Sequence, residues 1–151
     1  MSSIAVREAI IEYLDESLED ETIIDLTAQF HTLDELIAKT GLSPDDPWVG
    51  VQFIGNDEEP ITIPGTPTQG KYRETGVVYV HVVSVARLGA GNGLLTRGEA
   101  IRDLLRGRRI DNRVKILSMT PMNFDAGTTL RFEGGYMSGS FIVEYEYDID
   151  L

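Results

Sequence analysis

Alternating and clustered apolar residues predict a strand, a turn, a helix and a second strand in the middle of the chain, between Gly76 and Leu117. Seven of the nine residues of Val77–Val85 are β-branched or aromatic, and no glycine or proline interrupts them, which strongly favours a strand. Both of its alternating registers are largely apolar, as is typical of a central strand covered on both faces. We expect a helix on one face and a neighbouring subunit on the other.

The helix of this unit follows a glycine-rich turn at residues 88–93. Its apolar positions recur at three- and four-residue spacing, and Gly107 suits the left-handed position just beyond its end. Gly98 lies on the buried stripe and would allow the helix to approach a sheet closely, at a cost of about 1 kcal/mol in helix propensity. Arg113–Ser118 then returns to an extended pattern. The predicted buried positions are Leu94, Leu95, Ile101, Leu104 and Leu105.

The N-terminal part is acidic and is predicted to be mainly helical. Apolar residues at helical spacing predict a first helix that ends near Ser17. The pattern of Thr22–Phe30 fits either an extended segment or a loose helical turn. The spacing Thr32-x-x-Glu35 resembles a capping box that opens a short helix ending at Gly41.

The remaining segments alternate in the manner of strands. Trp48–Ile54 is predicted to be a half-buried strand, and Thr128–Glu133 a short one. Gly134–Gly135 fits a tight hairpin turn. Met137–Ile149, which places aromatic and apolar residues on one face and carboxylates on the other, is predicted to be the last strand.

Residues 55–75 contain several prolines and glycines, and they predict a projecting hairpin loop. A short strand at Ile61–Ile63 would start the loop, and Lys71 and Tyr72 would begin its return. Apolar residues on a projecting loop usually meet a partner surface. We therefore expect residues 61–72 to contact a neighbouring subunit or another protein.

Together these elements predict one α+β domain over residues 1–151, with a mostly antiparallel, twisted sheet packed by two main helices. The acidic helical part would cover residues 1–44, and the sheet and core helix residues 47–151. A chain of 151 residues is long enough to bury a core without disulfides or metal. The sequence shows neither a signal-peptide pattern nor an apolar run of membrane-spanning length, so a soluble protein made in the cytoplasm is expected.

Charge is distributed unevenly. The first sixty residues hold fifteen acidic and two basic residues, a balance of −13, whereas the rest holds ten acidic and eleven basic, a balance of +1. The basic run between helix and strand has no interleaved aromatic residues of the kind that stack on single-stranded nucleic acid. These arginines are expected to pair with carboxylates, including those of an adjacent subunit. The run comprises Arg102, Arg106, Arg108, Arg109 and Arg113.

No residue pattern predicts catalysis, a cofactor or a metal site. His31 and His81 lie far apart in sequence, and His81 alternates with core valines, so a structural role is favoured over a catalytic one. The acidic run at 57–59 lacks the spacing of a calcium loop. The turn at Gly89–Gly93 lacks the order of a nucleotide-binding loop. The sequence therefore predicts that the protein is not an enzyme.

The order of elements resembles that of the tail terminator and tail completion proteins of long-tailed bacteriophages, including the family described as a bacteriophage-related domain. The resemblance covers about two thirds of the chain. Residues 20–41 depart from it, because they are longer and more acidic than the family pattern. Its residues are Ile4–Leu14, Glu74–Val82, Gly89–Gly93, Leu104–Gly107 and Phe141–Tyr147.

The resemblance implies a virion protein at the head-proximal end of the tail, assembled in the host cytoplasm. Members of the family form six-subunit rings that cap the tail tube, stop its polymerisation and offer a surface to the head-side connector. The implied partners are further copies of the chain, the tail tube protein and the connector. DNA would pass through the ring without specific binding, and an acidic subunit suits this because carboxylates repel phosphates.

Two other functions fit parts of the sequence. A head-side neck protein would differ by binding the connector rather than the tube. An acidic domain that mimics DNA or inhibits a nuclease would be a monomer or dimer, and it would leave the loop unexplained. In the ring reading, the predicted contacts are Ile61, Ile63, Lys71, Tyr72, Arg102, Arg106, Arg108 and Arg109.

Overall fold

The computed structural model describes residues 4–28, 47–60, 71–85, 90–124 and 136–150. Two helices and seven strands lie in these ranges, together with one 3-10 turn at Leu26–Ala28. The helices are α1 (Ile4–Ser17) and α2 (Ala90–Leu105). The strands are β1 (Ile23–Asp25), β2 (Trp48–Pro60), β3 (Lys71–Val85), β4 (Arg109–Ile110), β5 (Val114–Met119), β6 (Asn123–Phe124) and β7 (Tyr136–Asp150).

All seven strands belong to one sheet, in the order β1-β2-β3-β7-β5-β4, with β6 paired to β7. Only β1 and β2 run parallel among these pairs, and the others are antiparallel. β3 and β7 pair over their whole length, from Lys71 opposite Asp150 to Val85 opposite Tyr136. The predicted fold class, α+β with a mostly antiparallel sheet and two main helices, is therefore confirmed.

The core lies between the sheet and both helices. Alternate residues of β3, represented by Val78, Val80 and Val82, are at most 1% exposed and point toward the helices. Burying a side chain of this size contributes about 1.5–3 kcal/mol, so the apolar stripe of each helix is a main source of stability. The helix residues in this core are Val6, Ile10, Leu14, Leu94, Ile101 and Leu105.

Polar contacts set the position of α1 over the sheet. The hydroxyl of Tyr13 donates to the carbonyl of Leu104 at 3.0 Å and so joins the two helices. The guanidinium of Arg7 lies 2.6 Å from the carboxylate of Asp25 in β1. The N-terminal part is thus fastened to both α2 and the sheet edge.

β2 and β3 extend further than the sequence predicts. β2 continues past Ile54 through a register shift between Gly55 and Asp57, and it pairs with β3 as far as Pro60 opposite Tyr72. β7 holds the other edge of β3 over the same residues, so the ladder supplies hydrogen-bond partners to a segment of low strand propensity. Within the described residues, Tyr72 therefore belongs to a three-stranded part of the sheet and Lys71 to the pair of β3 with β7, and neither lies in a loop.

Residues 22–28 contain both alternatives that the sequence left open. Thr22 accepts a hydrogen bond from Val49, Ile23–Asp25 is a strand, and the 3-10 turn follows directly. The strand exists because β2 offers a free edge there, which the local sequence does not reveal. The N-terminal part consequently adds a strand to the sheet, whereas the sequence predicts it to be mainly helical.

The end of α2 agrees with the sequence in one respect and differs in another. Gly107 has a φ of 65°, the left-handed conformation expected beyond the helix. The next hairpin, between β4 and β5, turns at Asp111 and Asn112, both with a φ of 57°. Leu104 is only partly buried, because the helix turns Leu105 into the core in its place.

Gly98 does not bring α2 against the sheet as expected. A Cβ built at this position would lie 2.5 Å from the sulfur of Met122, and one at Gly139 would lie 3.0 Å from the terminal methyl of the same side chain. Met122 therefore occupies a slot between the helix and β7 that two glycines leave open. A long, unbranched thioether suits such an irregular gap.

Several predicted elements lie outside the described residues. They are the helix at Thr32–Gly41, the strand at Ile61–Ile63, the strand at Thr128–Glu133 and the turn at Gly134–Gly135. In the part of the chain that the structure describes, neither helix is long and apolar enough to cross a membrane.

Candidate assembly surface

The sheet has a second face, turned away from both helices, which we call the outer face. At one end of it Trp48, His81 and Val83 are at most 2% exposed. Gly50 lies between them, and a Cβ there would be 2.5 Å from Leu26, so the 3-10 turn packs closely on this end. The buried end leaves the middle of the outer face as the part available to a partner.

An apolar strip crosses the middle of the outer face. Ile54 is 41% exposed and pairs with Val77. In the next outward-facing row, Tyr79 pairs with Ile142, and all three of Val77, Tyr79 and Ile142 are partly exposed. On β5, Leu117 follows the inward-facing Ile116 and is 44% exposed. These apolar side chains come from four neighbouring strands, and the exposed Glu144, which pairs with Val77 and accepts from the hydroxyl of Ser118 at 2.9 Å, lies between β3 and Leu117.

A charged region borders this strip. Arg73 donates to Asp148 at 2.8 Å and lies 3.5 Å from Glu146. The hydrogen bond to Asp148 raises the pKa of Arg73 above its ordinary value, and the charges of Asp148 and Glu146 act in the same direction against the opposing effect of burial. The guanidinium therefore remains charged, and this cross-strand ion pair keeps its own side of the outer face polar.

Of the four residues predicted to form the loop contact, the structure describes two. Ile61 and Ile63 lie outside the described residues. The backbone of Lys71 pairs with Asp150 in the sheet. Tyr72, partly exposed, lies between Pro60 and Ile149 in the register that faces the helices, not on the outer face. Their role at an interface remains a prediction.

Two of the predicted arginines are held by their own helix. Arg102 forms hydrogen bonds with Glu99 at 2.8 Å and with the carbonyl of Thr120 at 3.0 Å. Arg106 lies 2.6 Å from Asp103. These contacts agree with the expectation that the run pairs with carboxylates, but they lie within the subunit.

The other two arginines project from the β4 edge. Arg108 and Arg109 are exposed, and Arg109 stands directly opposite Lys115 in the antiparallel register. Neither makes an ion pair with any residue in the described ranges. They are consequently better placed than Arg102 or Arg106 to meet another molecule.

Arg97 has a structural role that the sequence did not indicate. Its guanidinium makes a two-pronged contact with Glu21 at 2.7 and 2.6 Å. It also donates to the carbonyl of Val83 at 3.0 Å and to the hydroxyl of Ser84. One side chain on α2 therefore ties the segment after α1 to the end of β3. The sequence shows only that Arg97 lies on the polar side of an amphipathic helix, and several other residues of this helix share that position.

A groove of about 680 Å³ runs along α1. Ile4 and Ile11 supply apolar lining, and the remaining lining side chains are mainly acidic. Among the described residues, no group of three or more His, Asp or Glu side chains is arranged to hold a metal ion. The acidic lining residues are Glu8, Glu12, Asp15, Glu16 and Asp25, the last paired with Arg7.

Comparison with known proteins informs the fold alone. No family model matches the chain, and no curated protein matches it. One solved structure of a protein of unknown function aligns with a TM-score of 0.51 and 14% sequence identity, covering 97% of this chain and 96% of the other. At that identity, the similarity indicates a shared fold over nearly the whole domain.

Proposed function

We propose that this protein is a structural virion protein, a tail terminator of a long-tailed bacteriophage. In this proposal six copies form a ring that caps the tail tube, stops its polymerisation and presents a surface to the head-side connector. The apolar strip on the outer face is the observation that carries the proposal. The sequence resemblance supplies the family, and the α+β fold is compatible with it.

The strip supports an assembling protein because the chain's own helices lie on the opposite face. Ile54 and Leu117, both more than 40% exposed, sit on strands either side of the central β3–β7 pair. Contiguous exposed apolar surface on a folded domain usually marks a site of protein interaction. A ring subunit buries such a surface against its neighbour.

The net charge of −12 fits the proposed passage of DNA through the ring. Exposed carboxylates repel phosphates, so a lumen lined by them would let DNA slide without adhering. Exposed acidic residues are frequent on α1. We place α1 nearer to the lumen than the apolar strip on this ground.

Solution mass tests the ring. Light scattering over a wide concentration range should give a particle of six 16.7 kDa subunits. Tyr79→Lys puts a charge into the strip, where its cross-strand partners are Gln52 and Ile142, and should shift the mass toward the monomer, because burying an unpaired charge is costly. Ala100→Lys adds the same charge at an exposed position of α2 and should leave the mass unchanged.

Either of two results would contradict this assignment of the surface. The unmodified protein could remain a monomer at all concentrations, or Tyr79→Lys could form a ring as well as the control does. Capping is tested separately by adding the protein to polymerising tail tube protein of the same phage and measuring tube lengths by electron microscopy. Binding to the connector without any effect on tube length would instead indicate a head-side neck protein.

The acidic groove along α1 favours a second candidate, a DNA mimic or nuclease inhibitor. Glu8, Glu12 and Glu16 are exposed along one helix, and a row of carboxylates can imitate phosphates. This function requires a monomer or dimer that competes with duplex DNA for a DNA-binding protein. A ring mass together with no such competition would exclude it.

A further inference from the structure

We propose that copies of this chain associate head to tail through opposite edges of the sheet. The basic β4–β5 hairpin of one copy lies against the acidic β2 edge of the next. The inference rests on the proposed ring and specifies its contact. The residues that carry it are Asp57 and Glu59 on β2, and Arg109 and Lys115 on β4 and β5.

The strand registers place these four residues on the outer face. One cross-strand row runs over five strands: Asp57 on β2 pairs with Thr75 on β3, and Thr75 pairs with Glu146 on β7. Glu146 then pairs with Lys115 on β5, and Lys115 pairs with Arg109 on β4. The row therefore begins with a carboxylate at one edge of the sheet and ends with two cations at the other. Four strand spacings of about 4.8 Å separate its ends by roughly 19 Å.

That separation prevents the two charged edges from neutralising each other within one subunit. Asp57, Glu59, Arg109 and Lys115 are all exposed, and none of them forms an ion pair with another side chain in the described ranges. Over roughly 19 Å the attraction between exposed charges is largely screened at physiological salt. Glu59 stands opposite Arg73 and Lys115 opposite Glu146. Asp57 and Arg109 are therefore the two of the four that have no opposite charge directly across from them among the described residues.

Among the described residues, the backbone of the outer edge of β2 has no strand partner beyond Val51. β1 pairs only with Val49–Val51. The hydroxyl of Thr27 accepts a hydrogen bond from the backbone amide of Phe53. From Ile54 to Pro60, no other described strand pairs with this side of β2. Acidic residues on an edge strand discourage uncontrolled pairing with like strands, and here they would select a basic partner.

A second copy is the occupant that these charges specify. The basic hairpin and the acidic edge are opposite ends of the same sheet, so each copy carries both halves of the contact. A contact between different surfaces of identical subunits leaves one surface free at each end, and it closes into a ring when the rotation allows. The apolar strip lies between the two edges on the outer face, and this edge contact does not itself cover it.

Paired charge reversals test the arrangement by light scattering. Variant A carries Arg109→Glu and Lys115→Glu, and variant B carries Asp57→Lys and Glu59→Lys. Each variant alone has two edges of like charge and should lose at least tenfold in association. Mixing A with B, or combining all four substitutions in one chain, should restore an assembly larger than a dimer.

A matched control is Glu19→Lys with Asp20→Lys, two exposed positions after α1, which changes the net charge as much as variant B does and should leave the ring intact. Circular dichroism and thermal unfolding of every variant show whether the fold is retained. If a variant does not fold, the four-substitution chain and the salt dependence of association in the unmodified protein decide. Association that strengthens or stays constant between low and high salt contradicts an ionic contact.

The outcomes separate this inference from the proposed function. A monomeric unmodified protein would overturn both. A ring that persists in A and in B would overturn the head-to-tail contact while leaving the ring itself in place. If A and B together restore only a dimer, the contact is two-fold and the head-to-tail arrangement is wrong.

Discussion

The two faces of the sheet are built from the same strands and differ in how they are completed. On the inner face, alternate residues of β2, β3 and β7 are covered by α1 and α2 and are nearly all buried. On the outer face, the exposure of the alternating residues varies widely: His81 is buried, whereas Ile54 is 41% exposed. The comparison shows that an apolar strand residue is buried by the rest of the chain only where a helix or turn can reach it.

The inner face should therefore be sensitive to single substitutions in a manner that depends on helix phase. Leu105 is 1% exposed, and Leu105→Ala should lower the free energy of unfolding by about 2–5 kcal/mol. Its neighbour Leu104 is only partly buried, and Leu104→Ala should cost roughly 1 kcal/mol. Urea unfolding measures both, and equal losses would show that the helix is rotated from the position described.

The join between α2 and the end of β3 should show the next largest effect. Arg97→Ala leaves the carboxylate of Glu21, whose side chain is 13% exposed, without its two-pronged partner. We expect a loss of about 2–3 kcal/mol. Arg106→Ala is the control, because its pair with Asp103 is exposed on both sides, and such pairs contribute about 0–1 kcal/mol. Similar losses in thermal unfolding would refute the special role of Arg97.

The slot that Met122 fills allows a further test of packing on the inner face. Gly98→Ala should destabilise the protein by about 1 kcal/mol, since crowding against Met122 (about 1–3 kcal/mol) outweighs the gain in helix propensity (about 1 kcal/mol). In a Met122→Ala background the same substitution should become stabilising. A double-mutant cycle in urea measures the change of sign. An identical effect in both backgrounds would mean that Met122 does not occupy the slot.

The outer face should show the smallest effect on the isolated subunit. Ile54→Ala should change the stability of the monomer by no more than about 0.5 kcal/mol, when measured by unfolding at a concentration where the protein is dissociated. Ile116→Ala on the inner face, where the side chain is 3% exposed, should cost about 2–5 kcal/mol. If Ile54→Ala costs as much as Ile116→Ala, the apolar strip is part of the subunit's own core.

Strong local patterns predicted the type and approximate place of the long elements, although β3 begins at Lys71 and α2 begins at Ala90, inside the predicted turn at residues 88–93. The valine-rich run became β3, the alternating aromatic run became β7, and the stripe of leucines became α2. The short elements were missed because they depend on a partner. β4 and β6 have two residues each, and such segments become strands only when β5 and β7 offer them hydrogen bonds.

Part of the candidate surface could also be anticipated from the chain. The apolar character of both registers of β3 correctly indicated that neither of its faces is simply a polar surface. It could not indicate that Leu117 and Ile142 share a face of the sheet with Ile54, because these residues come from strands far apart in sequence. Nor could it separate Arg108 and Arg109 from Arg102 and Arg106, since the difference lies in which of them a carboxylate can reach.

The sequence by itself determined which segments form the long strands and α2, and where glycine ends that helix, because these follow from side-chain periodicity and backbone stereochemistry over a few residues. The tertiary structure decided the strand order, the length of the β2–β3 ribbon and which cations remain exposed. These properties depend on hydrogen bonds and ion pairs between residues distant along the chain. Arg97 illustrates the difference, since a helix position next to many like it becomes the link between α2, Glu21 and β3 only after the sheet has brought them together.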